Sequence, residues 1–65
     1  MKCNVADLQG CEEKETAFIE KQKGKSAEEL TTQLARLTGM LGKSMAPDLK
    51  KWVVQRVGIL TQLTA

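Results

Sequence analysis

Arg36-Leu37-Thr38-Gly39-Met40-Leu41-Gly42-Lys43-Ser44-Met45-Ala46-Pro47 reads as the end of one helix and the beginning of another. Leu30, Leu34, Leu37 and Leu41 recur at helical spacing up to this corner. Gly42 is expected to take the positive φ that closes a helix. Pro47 suits the first position of the next helix, where a missing N–H loses no intrahelical bond. The connection is short, so the two helices are expected to fold back on each other as a hairpin.

Upstream, Ser26-Ala27-Glu28-Glu29 has the pattern of a capping box. The serine hydroxyl accepts from the third helical N–H, and Glu29 is expected to reach back to the serine N–H. Helix two is therefore placed at residues 27–41, with its leucines on one narrow stripe and Glu28 and Arg36 turned to solvent. Downstream, helix three is placed at 47–63. Leu49, Trp52, Val53, Val57, Ile59, Leu60 and Leu63 give it a broad apolar face, wide enough to need two neighbours. The β-branched residues around Val53 and Val57 also suit a strand, but no second strand exists to pair with it. The helical spacing of 49, 53, 57 and 60 decides the matter.

Helix one is placed at 12–23. Glu12, Glu13 and Glu15 crowd its start and Lys21 and Lys23 its end, as the helix dipole favours, and Gly24 stops it. Phe18 and Ile19 are its main apolar residues, so it must lay them on the other two helices. Residues 1–11 form a lead-in, in which Asn4 caps a single turn that Gly10 ends. Arg56 falls near the middle of the helix-three face and Glu15 in the helix-one seam. Three readings are open: the two pair across facing seams, the Arg56 stem packs while its head reaches solvent, or Arg56 is simply a partly exposed residue at the edge of the face. The expected fold is thus all-α: one domain, a small three-helix bundle with a short N-terminal turn.

At 65 residues the chain is long enough for one small core, with an expected stability of about 3–5 kcal/mol. Ten basic and eight acidic residues give a net charge of +2, and the signs interleave. That is too little for a phosphate-tracking surface. Phe18 and Trp52 are the only aromatics, too few for a single-strand stacking platform. No nucleic-acid partner is expected. No run of about 18 apolar residues occurs, so no membrane insertion is expected. The start has no apolar leader; if the native protein is secreted, this chain is expected to be an excised part of it.

Histidine is absent, which removes the commonest general base and the commonest neutral metal ligand. A chain that is not an enzyme, with no catalytic residues, no metal site and no cofactor, is the expectation. Glu12-Glu13 and Glu28-Glu29 lie in first helical turns, where acids favour the dipole. Lys50-Lys51 reads as a solvated face. Cys3 and Cys11 do not form C-x-x-C, so neither a thioredoxin-type site nor a zinc knuckle is implied. They read as a structural disulfide tying the lead-in to the start of helix one, contributing roughly 2–3 kcal/mol in the chain-entropy model. The alternative is two free thiols, one packed as a small hydrophobe. Met40, Met45 and Trp52 surround the corner between helices two and three. Flexible thioethers beside an indole make an adaptable apolar surface, so these three are the candidate protein-binding residues; the plainer alternative is core. Met40 falls off the leucine stripe and is expected to be exposed.

Leu34-Ala35-Arg36-Leu37, the run from Met40 to Pro47, and Gly58-Ile59-Leu60-Thr61-Gln62-Leu63 together resemble the D domain of protein disulfide isomerase-related proteins. This is the helical domain of the endoplasmic reticulum protein 29 C-terminal type. The resemblance spans roughly residues 12 to 63 and is strongest from Leu34 onward. It implies an accessory, chaperone-like domain of a secretory-pathway folding factor in the endoplasmic reticulum lumen, one that holds client polypeptide and carries no catalytic residues. The alternative is a structural assembly module that docks its parent protein to a fixed partner or to itself. A thiol oxidoreductase is disfavoured, because the cysteine spacing gives no attacking-and-resolving pair at a helix start.

Overall fold

The computed structural model describes residues 3–65; Met1 and Lys2, the first two positions of the lead-in, lie outside the described residues. Three helices follow in order: α1 (Glu13–Gln22), α2 (Ala27–Met40) and α3 (Pro47–Leu63). No strand occurs among the described residues. The fold is a small all-α three-helix bundle, with α3 packed against both other helices.

Each helix starts for a local reason. At α2 the Ser26 hydroxyl accepts from the Glu29 N–H at 3.2 Å. Only that half of the expected box forms; the Glu29 side chain stays exposed instead of returning to Ser26. A returning carboxylate is found at α1, where Glu15 Oε1 accepts from the Glu12 N–H at 2.8 Å. At α3, Pro47 fills the first turn and the Ala46 carbonyl accepts from the Lys50 N–H at 2.9 Å.

The helix ends divide differently from expectation. Gly24 does close α1 at φ +86. Gly42 does not close α2, because its φ is not positive. Leu41 keeps right-handed helical angles, and its N–H donates to the Thr38 carbonyl at 3.1 Å. Lys43 N–H donates to the Met40 carbonyl at 3.0 Å. The last turn tightens into i to i+3 bonds that satisfy the terminal carbonyls, so no left-handed residue is required. α2 therefore ends at Met40, one residue before the expected boundary.

The core has two lobes. Leu30 and Leu37 of α2 meet Val53 and Leu60 of α3, with Leu34, Met40, Leu41, Met45 and Val57 packed around them. The second lobe joins Ile19 of α1, Ile59 of α3 and Cys3 of the lead-in. Phe18 and Leu63 touch both lobes. Leu49, expected on the buried face, is 45% exposed; it lies in the first turn of α3, beyond the reach of the leucine stripe.

The lead-in turn is built on Asn4. Its Oδ1 accepts from the Ala6 N–H at 2.8 Å, and its carbonyl from the Leu8 N–H at 2.7 Å. Gly10 adopts φ +76. The sulfurs of Cys3 and Cys11 stand at disulfide distance, with their Cα atoms 4.3 Å apart.

Three substitutions separate these effects. Leu60→Ala removes a fully buried side chain and is expected to cost about 2–5 kcal/mol in urea unfolding. Gly24→Ala puts a Cβ on a left-handed residue and is expected to destabilise by about 1–2 kcal/mol. Gly42→Ala meets neither obstacle, since nothing lies within 4 Å of the added Cβ. It is expected to be neutral or to stabilise by about 0.4–1 kcal/mol.

Candidate functional site

The candidate residues do not share one environment. Met40 and Met45 are half-buried against the α2–α3 lobe. The expectation of an exposed Met40 is therefore corrected: its flexible thioether packs against the cluster of Leu30, Leu37, Val53 and Leu60.

Trp52 faces α1. Its ring meets Phe18 edge-on, with centroids 5.8 Å apart and planes inclined at 78°. That is the arrangement the aromatic quadrupoles favour. Lys14 Nζ lies 4.8 Å from the indole centroid and Arg56 Cζ 5.2 Å. Lys14 and Phe18 are four apart on α1, and Trp52 and Arg56 four apart on α3, so two helical pairs meet across the seam. Two cations thus flank one half-buried indole, each attracted to its negative face.

This contact decides the Glu15–Arg56 question. The two do not form an ion pair. Glu15 is buried and spends an oxygen on the Glu12 N–H, while Arg56 packs on Trp52 with its Nε buried and unpartnered. Arg56 is half-buried, as the partly exposed reading has it, and its guanidinium lies beside Trp52 instead of reaching free into solvent.

Leu49 is the residue that sequence reasoning assigned elsewhere. It precedes Trp52 by one helical turn, so the two are surface neighbours on α3. Exposed Leu49, half-exposed Trp52 and Met45, two residues before α3, make up the apolar part of this end. Helical periodicity placed Leu49 in the core; its position in the first turn of α3 was the only signal against it.

A groove of about 920 Å³ runs between the lead-in and α3, bordered by Asn4, Glu12, Lys51, Val54, Gly58 and Gln62. Gln55 Nε2 donates to Glu12 Oε1 at 2.8 Å, and Lys51 Nζ lies 3.8 Å from Glu12 Oε2. The Gln55 hydrogen bond first, and the Lys51 charge second, hold the Glu12 carboxyl below its ordinary range. Two further glutamines were not singled out by sequence. Gln22 is buried, donates to the Phe18 carbonyl at 3.2 Å and accepts from Gln33 Nε2 at 2.7 Å, linking α1 to α2. Gln62 Nε2 donates to the Cys3 carbonyl at 2.7 Å, and Gln62 Oε1 accepts from the Val5 N–H at 3.2 Å. No residue pattern announces the Gln22–Gln33 and Gln62 bonds, because they join different helices or positions far apart in sequence.

Among the described residues, no group of three or more His, Cys, Asp or Glu is placed to hold a metal ion. No helix among them is long and apolar enough to cross a membrane. The fold and this surface define a small all-α domain with an aromatic–cationic seam. Compared with known proteins, the chain matches no family model, no curated protein and no solved structure.

Glu12 gives a pH test. A carboxyl whose folded pKa is depressed adds stability that is complete above its unfolded value and is lost as pH falls through the folded value. The ordinary value is 4.5. Wild type is therefore expected to exceed Glu12→Gln in urea resistance at about pH 7, with the difference closing by about pH 2. A difference that persists in acid assigns the effect to something other than the charge.

Proposed function

We propose that this chain is a non-catalytic binding module, a D-type accessory domain of a secretory-pathway folding factor that holds client polypeptide. The observation that carries the reading is Leu49, 45% exposed one turn before the half-buried Trp52. An apolar residue of that size left in solvent beside an indole is inexpensive in a monomer and productive in a complex. Met45 continues the patch with an adaptable thioether, and Met40 supports it from the core. The site is therefore Met45, Leu49 and Trp52, with Met40 behind them. Lys14 and Arg56 rim the indole with positive charge, so apolar segments flanked by acidic residues are the favoured clients.

The secretory assignment rests on two supports. One is the resemblance carried by the corner and the end of α3. The other is the cysteine pair at disulfide distance, which suits an oxidising compartment. A second reading, docking to one fixed partner or to another copy, is favoured by the groove beside α3, where Val54 is 52% exposed.

Amide shifts of the labelled chain on titration with apolar peptides separate the two. Client holding is expected to move Met45, Leu49 and Trp52 with several unrelated peptides. Leu49→Ser is expected to weaken that binding about tenfold with little change in stability, since the side chain is already exposed. Silence at these amides with every peptide overturns the client reading. Shifts confined to Val54 and Gly58 that grow with protein concentration favour self-docking.

A further inference from the structure

The lead-in is attached to the bundle in a way that none of the three helices is. Cys3 is 5% exposed and lies in the lobe formed with Ile19 and Ile59, and Val5 and Cys11 pack around that lobe. Gln62 grips the backbone on both sides of Asn4, at the Cys3 carbonyl and the Val5 N–H. The remaining hydrogen bonds of this segment are internal, among them those from the Asn4 N–H to the Gln9 carbonyl and from the Leu8 N–H to the Asn4 carbonyl. Leu8 is held at φ +63, a left-handed conformation that disfavours leucine and that an open chain would relax. The other lobe, Leu30, Leu37, Val53 and Leu60, includes no lead-in residue among those described.

We propose that residues 3–11 are a redox-released strap. The Cys3–Cys11 bond holds them over Ile19 and Ile59, and reduction frees them while the α2–α3 hairpin persists. The reductant is a dithiol. Its thiolate attacks the Cys11 sulfur, the more accessible of the two because Cys11 is half-buried and Cys3 nearly enclosed. The sulfur–sulfur bond breaks, and Cys3 departs as a thiolate that takes a proton. The second thiol of the reagent then displaces Cys11. Two electrons pass to the protein, which ends with two thiols, and the reagent ends as its cyclic disulfide. Without the closed ring, Leu8 relaxes, and only the Gln62 bonds and the packing of Cys3 and Val5 are left to oppose the regained freedom of the segment. Ile19 and Ile59 then lose their cover.

The test uses the full chain, oxidised with glutathione disulfide and then reduced with dithiothreitol, followed by amide hydrogen exchange. On reduction, the amides of Asn4, Val5 and Leu8 are expected to exchange at least about tenfold faster, and those of Leu34 and Val57 less than about threefold faster. An apolar dye is expected to brighten, and reoxidation to reverse both changes. Three results overturn the proposal: thiols that remain alkylatable after oxidation, lead-in amides that ignore reduction, or lead-in and hairpin amides that accelerate together. Gln62→Ala with the bond intact is the control. It is expected to expose Val5 and leave Leu8 protected; loss of protection at both makes Gln62 the holder of the strap, and the proposal falls.

Discussion

Ile59 and Leu60 are neighbours in sequence, stand about 100° apart around α3, and enter different lobes of the core. The bundle depends on that divergence. Leu60, with Val53, faces the leucines of α2, while Ile59 faces Ile19 and the lead-in. One helix thereby supplies the buried wall for everything else. Because α1 is mostly polar, Phe18 and Ile19 carry its apolar packing, most of it onto α3. Phe18 and Leu63 span both lobes and make them a single packed unit.

Glutamine amides supply what this small core does not. An irregular segment carries backbone groups that need partners when they approach a core. Gln62 offers a donor and an acceptor spaced like those of a peptide group, and it engages a carbonyl and an N–H of the lead-in together. Gln22 does comparable work between α1 and α2. Gln22 is buried and bonded at both ends, which makes its burial tolerable.

The aromatic seam follows from competition between local and distant partners. Glu15 has a partner three residues back in the Glu12 N–H, reached with little loss of freedom because the helix already holds both. A bridge to Arg56 would have to order a long side chain and desolvate two charges. Arg56 instead lies over the indole, whose ring face attracts its charge. The outcome is a tryptophan flanked by cations in place of a buried ion pair. It also gives the exposed end of α3 its basic rim.

What the chain dictates locally is therefore the set of helices. The Ser26 cap, Pro47 and the positive φ of Gly24 act within a few residues, and the periodicity of Leu30, Leu34 and Leu37 is visible without partners. Trp52 and Met45 could be singled out as surface candidates because large flexible or aromatic side chains near a corner are conspicuous. The inward turn of Met40, the exposure of Leu49, the cations on Trp52 and the Gln62 grip were decided only by tertiary structure. Periodicity fixes the angle of a side chain about its own helix. How far the neighbouring helix extends, and which distant group arrives there, depends on how the three helices pack.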